Sequence, residues 1–383
     1  MQLELSASLA PDLEGPSVLE SIPARPAVFA LQLRDAGGAP AAPYLGRTRD
    51  LRRRLLRLLG KPSGLSRLLN LRDLAYRIDY QFVGSQLETL WLLYRLNQAH
   101  YPRHYRQRLR LKAPVLLKVK LRNRFPHCYP TRRISNDGSL YYGPFPSRPV
   151  AERFSSDFLD LFKMRRCVED LNPDPSHPGC IYSQMHMCLA PCFQGCTDEE
   201  YQQEVSSVVS FLDTEGRALI NSLETERAGA SERLEFEEAA RLHRRVEKVH
   251  EVLRQRPGIV RNLRELNAVI VERGAEAKSV VFFRLHAGTL RGPAHLSLDE
   301  NVASPVPLDQ QLHELLDPLA EPVGASAAWR TAPLHSWEHL SILARWYYSS
   351  FRTGELLMLP HSQEIPHARL IRLCRKQIAL PEM

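Results

Sequence analysis

The alternation of apolar and polar positions divides the chain into stretches of different period. Between residues 22 and 83 short apolar runs are separated by polar turns. Ala27–Leu33 (AVFALQL) predicts a strand, followed by a loop of Gly, Ala and Pro, and Pro43–Gly46 predicts a second short strand. Leu51, Leu55, Leu58 and Leu59 recur at helical spacing with arginines between them, and Asp50 stands where an N-cap belongs. Tyr76–Val83 alternates as a third strand, and Ser85–Ala99 reads as an amphipathic helix stopped by Pro102. Val115–Val119 and Ile134–Tyr142, split by Pro126 and Pro130, predict extended segments ending in the turn Gly143–Ser147. From Thr197, a candidate N-cap, to about Gln255 the sequence is almost free of Gly and Pro, and a break near Gly229 predicts two antiparallel helices. Ala268–Glu272, Val280–Leu285 and Ala294–Leu298 return to the strand pattern, with Gly288 in a hairpin turn, before a helix near Trp337–Phe351 and a short final one.

These runs predict four units. Residues 15–110 form a small α/β module on a three-stranded antiparallel sheet with helices, and 111–196 a β linker with a cysteine cluster. Residues 197–256 form an α-helical hairpin, and 257–383 a small β-rich C-terminal domain. There is no internal repeat.

Composition narrows the class. The 383 residues are 44% hydrophobic and 25% charged, and no apolar run approaches the length that a bilayer crossing needs. Met1 to Leu13 is neither basic nor continuously apolar, which predicts a cytoplasmic chain without a secretory signal. The net charge of +8 is unevenly spread. Between Tyr44 and Arg133 stand 22 Lys or Arg against four acids, Asp50, Asp73, Asp79 and Glu88, so that segment is +18 and the remainder −10. A block this dense suits a polyanion whose counterions are released on binding; the plainer reading is a solvated basic face.

Five of the seven cysteines fall within 30 residues. Cys180, Cys188 and Cys192, with Cys167 thirteen residues upstream of Cys180, offer four thiolates on loops, a set that suits tetrahedral zinc or an iron–sulfur cluster. Cys196 or His186 could substitute as a ligand, and buried structural thiols are the plainer alternative. Cys128 and Cys374 have no partners in this pattern.

The order of the motifs resembles the N-terminal half of the UvrC family of excision-repair nucleases. Tyr44-Leu45-Gly46-Arg47 before Leu51-Arg52-Arg53-Arg54-Leu55 is similar to the second half of a GIY-YIG nuclease signature, and Ala27-Val28-Phe29 takes the place of its first half. Thr131-Arg132-Arg133 and Tyr142–Ser147 resemble the family's linker, and the four cysteines have similar spacing. Leu234–Leu242 (LEFEEAARL) closely resembles the UVR motif, and Val280–Phe283 the strand region beyond it. The resemblance spans roughly residues 22 to 300. It implies a chain without the RNase H-like and helix-hairpin-helix domains of longer members, similar in this to the short Cho-type nucleases, which lack the UVR hairpin.

Several expectations follow from the resemblance alone. Tyr44, Arg47 and Arg54 match catalytic positions of a GIY-YIG site, which would use Mg²⁺ or Mn²⁺ held by a glutamate. Phe29, Leu93 and Tyr105 replace the first tyrosine, the metal glutamate and an asparagine. No Asp or Glu occurs from Thr89 to Asn136, and Glu88 lies five residues before Leu93, about 140° away around a helix. The module therefore reads as a DNA-binding remnant, with Arg52, Arg53, Arg57, Arg132 and Arg133 on the phosphates of damaged duplex DNA; an active structure-specific endonuclease is the alternative. The UVR likeness implies UvrB as a partner, met through Leu234, Phe236, Glu237, Ala240 and Leu242, whereas pattern alone reads the stripe Leu242, Val246, Val249 and Leu253 as internal packing. For Cys167, Cys180, Cys188 and Cys192 the family favours [4Fe–4S] over zinc. A metal-dependent regulator unrelated to repair has only the cysteines in its favour.

Overall fold

The computed structural model describes residues 3–8, 18–35, 37–60, 69–299, 306–320, 333–360 and 364–379. The N-terminal module contains β1 (Leu5–Ser8), α1 (Val18–Ser21), β2 (Ala27–Arg34), β3 (Pro40–Thr48), α2 (Leu51–Leu59), β4 (Ala75–Phe82), α3 (Gln86–His100) and α4 (Tyr105–Arg108). Its sheet has four strands in the order β1-β4-β2-β3, all pairs antiparallel. The expected three strands are thus joined by β1, an edge strand before residue 15 that its mostly exposed side chains do not announce. Successive residues of β2 point to opposite faces. Phe29 and Leu31 pack with the buried leucines of α2, and Val28 and Ala30 pack with Leu92 and Leu96 of α3. Both helices begin where side-chain caps allow it: Asp50 accepts from Arg53 N–H and Ser85 from Glu88 N–H.

The middle of the chain forms β5 (Val115–Val119), β6 (Cys128–Thr131), β7 (Leu140–Phe145), α5 (Arg148–Leu159) and the one-turn α6 (Ile181–Gln184). Three helices follow: α7 (Asp198–Asp213), α8 (Arg217–Glu232) and α9 (Phe236–Arg254). The expected pair of helices is corrected to three. Gly229 lies inside α8, and the chain instead turns at Glu215–Gly216 (φ 58° and 83°) and at Leu234 (φ 59°). Gly216 suits that turn by its left-handed backbone, and a Cβ there would also press on the Leu253 side chain at 2.7 Å. Thr197 caps α7 in a reciprocal box with Glu200. The strand β8 (Arg261–Asn262) returns to complete a sheet ordered β6-β5-β7-β8, so residues beyond 257 belong in part to the middle unit.

The C-terminal unit holds β9 (Ala268–Arg273), β10 (Ser279–His286), β11 (Thr289–Ser297), α10 (Leu308–Ala320), α11 (Pro333–Tyr347), β12 (Glu355–Met358) and α12 (His367–Ile378). Its sheet runs β11-β10-β9-β12. One face packs on α10 and α12, and the other joins a core shared with α3, α11 and the middle unit. With three substantial helices it is a mixed α/β unit rather than the β-rich domain its strand pattern predicts. No helix among the described residues is long and apolar enough to cross a membrane.

The module and the C-terminal unit are joined tightly. Glu338 of α11, fully buried, accepts from Tyr94 (2.7 Å), Tyr105 (2.8 Å) and Arg106 (2.6 Å). Glu272 of β9, also fully buried, accepts from Leu87 N–H at 3.1 Å in the first turn of α3 and from Trp346 Nε1 at 2.7 Å. Trp91 Nε1 donates to Gly292 O at 2.8 Å. Gly84 meets Gly274 so closely that a Cβ would stand 2.0 Å from the Gly274 carbonyl oxygen. Glu338→Ala would strand two buried hydroxyls and a guanidinium, and should lower stability by about 2–4 kcal/mol. Urea unfolding measures this, and Glu338→Gln should lose less; an unchanged alanine midpoint would show that the joint contributes nothing.

Candidate nucleic-acid interface and cysteine loop

On the α2 side of the N-terminal sheet, Arg54 Nη2 donates to the Tyr44 hydroxyl at 2.8 Å. The sequence places both residues on facing elements, β3 and α2, with Asp50 fixing the start of the helix. Phe29 lies opposite Gly46 in the β2–β3 register, its ring 6.1 Å from that of Tyr44. A Cβ on Gly46 would come within 2.6 Å of the Phe29 ring, so this glycine leaves room for the aromatic. Arg47, Arg53 and Arg57 are exposed, whereas Arg52 spends its Nε on Ile22 O at 2.7 Å. The structure thus brings Tyr44 and Arg54 together as a hydroxyl–guanidinium pair, with Arg47, Arg53 and Arg57 exposed on the same two elements.

The carboxylates are engaged elsewhere. Leu93 packs against the cluster of Val28, Ala30 and Leu45, on the opposite face of the sheet from Phe29. Glu88 is fully buried at the start of α3 and faces the C-terminal unit: one oxygen accepts from Gly84 N–H at 3.0 Å, and the other stands 3.6 Å from His295 Nε2. Burial pushes its carboxyl up to about 8, and the neighbouring Glu272 adds to the effect. Asp79 accepts from Gln32 and Arg77, each at 2.7 Å, Asp50 caps α2, and Asp35 accepts from Gly37 and Ala39 N–H. Tyr105 belongs to the Glu338 joint rather than to the Tyr44 site.

In the middle unit Arg132 and Arg133 are exposed, and Arg132 also donates to Ala113 O. The cysteine loop is anchored by a residue that the sequence reading missed. Arg165 is fully buried; its Nε donates to Phe125 O at 2.8 Å, and its Nη1 donates to Cys167 O (3.0 Å) and Glu169 O (2.7 Å) and lies 3.5 Å from Cys167 Sγ. Its Nη2 meets His127 Nδ1 at 2.9 Å. Burial and this guanidinium push His127 down to about 4, which leaves the ring neutral and Nδ1 free to accept. In the sequence it is one of two adjacent arginines, Arg165-Arg166, just before Cys167, and nothing in the pattern marks it for burial. Ala190 N–H donates to Cys188 Sγ at 3.3 Å. Burial pushes the Cys188 thiol up to about 11, and Cys167, Cys180 and Cys192 lie near enough to raise it further. Four thiols on loops suit a soft metal or a cluster in kind, yet among the described residues no three His, Cys, Asp or Glu side chains are gathered closely enough to hold a metal ion.

On the hairpin, Leu234 and Phe236 are 70% and 68% exposed, and with Glu237 and Ala240 they border an open surface depression of about 850 Å³. Leu242, expected among the docking residues, is 3% exposed and packs in the core with Val246 and Val249. The helical stripe turns inward from Leu242, and the left-handed turn at Leu234 leaves Phe236 outside it.

The buried carboxyls set a pH dependence. Glu88 holds its proton up to about 8 and Glu272 up to about 6, both above the ordinary 4.5. Their contribution is complete below that ordinary value and is lost as pH rises, through 6 for Glu272 and 8 for Glu88. Glu88→Gln, which cannot ionise, should flatten the fall in thermal midpoint between pH 5 and 8 (roughly the window between the two states' pKa values). Parallel slopes for variant and parent would overturn this account.

Residues 115–211 match the family model for the middle domain of the UvrC/Cho excinucleases. The chain is similar to UvrABC system protein C of Moorella thermoacetica, 28% identical over 283 residues, which cover 73% of this chain and 45% of the relative. It is similar to the protein of that name in Trichlorobacter lovleyi, 30% identical over 223 residues (58% and 36%), and in Chlorobaculum tepidum, 27% over 298 residues (76% and 46%). The chain matches less than half the length of these curated relatives. No solved structure matches it.

Proposed function

We propose that this chain, a member of the UvrC family, acts in nucleotide excision repair as a binding protein that holds DNA and UvrB without cutting the DNA itself. The observation that carries the reading is the Tyr44–Arg54 pair, to which no carboxylate is hydrogen-bonded or ion-paired among the described residues. Phosphodiester cleavage by a divalent metal needs a hard oxygen ligand to hold the ion. Here Leu93 is packed among aliphatic side chains, and Glu88 is buried against the C-terminal unit. A guanidinium and exposed arginines still suit phosphate oxygens, and the exposed Arg53, Arg57, Arg132 and Arg133 give a positive surface for DNA.

UvrB would dock on the exposed edge of the α8–α9 hairpin, with Phe236 and Leu234 as apolar anchors and Glu237 at the rim. Cys167, Cys180, Cys188 and Cys192 are proposed to seat a structural [4Fe–4S] cluster or zinc, on donor chemistry alone; metal would draw the loop together. Iron, zinc and sulfide analysis of anaerobically purified protein tests this, and Cys188→Ser should lose the metal; equal metal content in that variant would reject it.

The deciding assay is nicking of a lesion-bearing duplex with UvrA, UvrB and Mg²⁺ or Mn²⁺, using the protein, Glu88→Ala and Arg54→Ala. Binding of DNA and UvrB with no nick is the expected result, with Arg54→Ala lowering the salt slope of DNA binding by about one. Incision that vanishes in either variant would establish an active endonuclease, the alternative that the preserved Tyr44–Arg54 pair favours.

A further inference from the structure

Between the end of the N-terminal module, the middle sheet and α11 lies a groove of about 300 Å³ whose lining holds four cations and no acid. Arg110 and Lys112 come from the connection after α4, Arg132 from the turn after β6, and Arg345 from α11. Among the described residues none of the four forms an ion pair. The heads of Arg132 and Arg345 are oriented by backbone carbonyls instead: Arg132 donates to Ala113 O, and Arg345 to Leu109 O at 3.1 Å and Arg110 O at 2.9 Å. Carbonyl partners fix a guanidinium in place without cancelling its charge. Burial pushes the Arg345 guanidinium down, and Arg47 of the module lies near enough to add to the effect. Pro146 and Tyr348 supply an apolar wall, and the Tyr348 hydroxyl is anchored on Pro144 O at 2.8 Å.

Uncompensated cations around a cleft call for a polyanion, and an aromatic wall beside them suits a nucleobase. The volume is at the lower end of small-ligand pockets, room for roughly one nucleotide and far too little for a duplex. We propose that this groove seats one DNA strand, with a phosphodiester among Lys112, Arg132 and Arg345 and the attached nucleoside against Tyr348. The proposal rests on the DNA-binding reading above and extends it to three units of the chain, including α11, which the sequence left without a role.

The test is fluorescence anisotropy of the full chain with a labelled single-stranded oligodeoxynucleotide and a duplex of equal length, each across a salt series. The variants are Lys112→Ala with Arg132→Ala in one chain, Lys112→Glu alone, and Arg53→Ala with Arg57→Ala on α2. All four substituted side chains are exposed, and circular dichroism melts check each fold. The groove pair should weaken single-strand binding by about tenfold or more and lower its salt slope by about two, with a smaller effect on the duplex. Lys112→Glu should act in the same direction. Unchanged single-strand binding in both groove variants, with the α2 pair weakened, would overturn the groove and leave the DNA-binding reading intact. Failure of the parent chain to bind either DNA would remove both. Displacement by thymidine monophosphate as readily as by the oligonucleotide would make the groove a nucleotide pocket and overturn the strand.

Discussion

The architecture depends on a single helix, α3, being packed from both sides. One flank closes the N-terminal sheet through Leu92 and Leu96. The other carries Leu87, Trp91 and Tyr94 into the core shared with the middle and C-terminal units. Two buried carboxylates hold that second flank, Glu272 at the start of the helix and Glu338 near its centre. A buried carboxylate is tolerated only where donors surround it; here the module supplies the three donors of Glu338 and one of those of Glu272, whose other donor, Trp346, lies in the C-terminal unit with both acids. Neither side satisfies its polar groups alone.

This constraint bears directly on chemistry. In a site built to hold a divalent metal, the helix beside the signature strands would present an acid toward the tyrosine and arginine. Here its only acid turns toward Glu272 and His295, and the position of interest is filled by a leucine that belongs to an aliphatic cluster. On the proposed reading, what survives is the cationic half of a phosphoryl-transfer site. That half has a use without the other, because phosphate affinity needs charge and orientation whereas cleavage also needs an electrophile.

Local signals were legible in the sequence where the physics is local. The caps Asp50 and Thr197 start their helices as read, β5 runs from Val115 to Val119 as expected, and Gly288 turns its hairpin in a left-handed conformation. The 140° offset between Glu88 and Leu93 also anticipated that they would serve different surroundings. What was hidden depends on distant partners or on ordinary residues in rare conformations. The strand β1 exists because β4 offers it an edge. The turn at Glu215 uses a residue with no turn preference, whose carboxylate is held by Arg256 and Arg261. Tyr105, Arg165 and Glu338 look like unremarkable polar residues until the fold buries them together with their partners.

The Gly84–Gly274 approach and the shared α3 also determine how far the chain can be divided. A boundary near residue 110 looks natural from the motif order, and its N-terminal piece carries the whole Tyr44–Arg54 pair. Such a piece would expose Leu87, Trp91 and Tyr94 to water and leave the donors of Tyr94, Tyr105 and Arg106 without Glu338. The segment that bears the Tyr44–Arg54 pair is therefore not a portable cassette: shuffled alone into another chain, it would carry that pair without the support that keeps its last two helices folded.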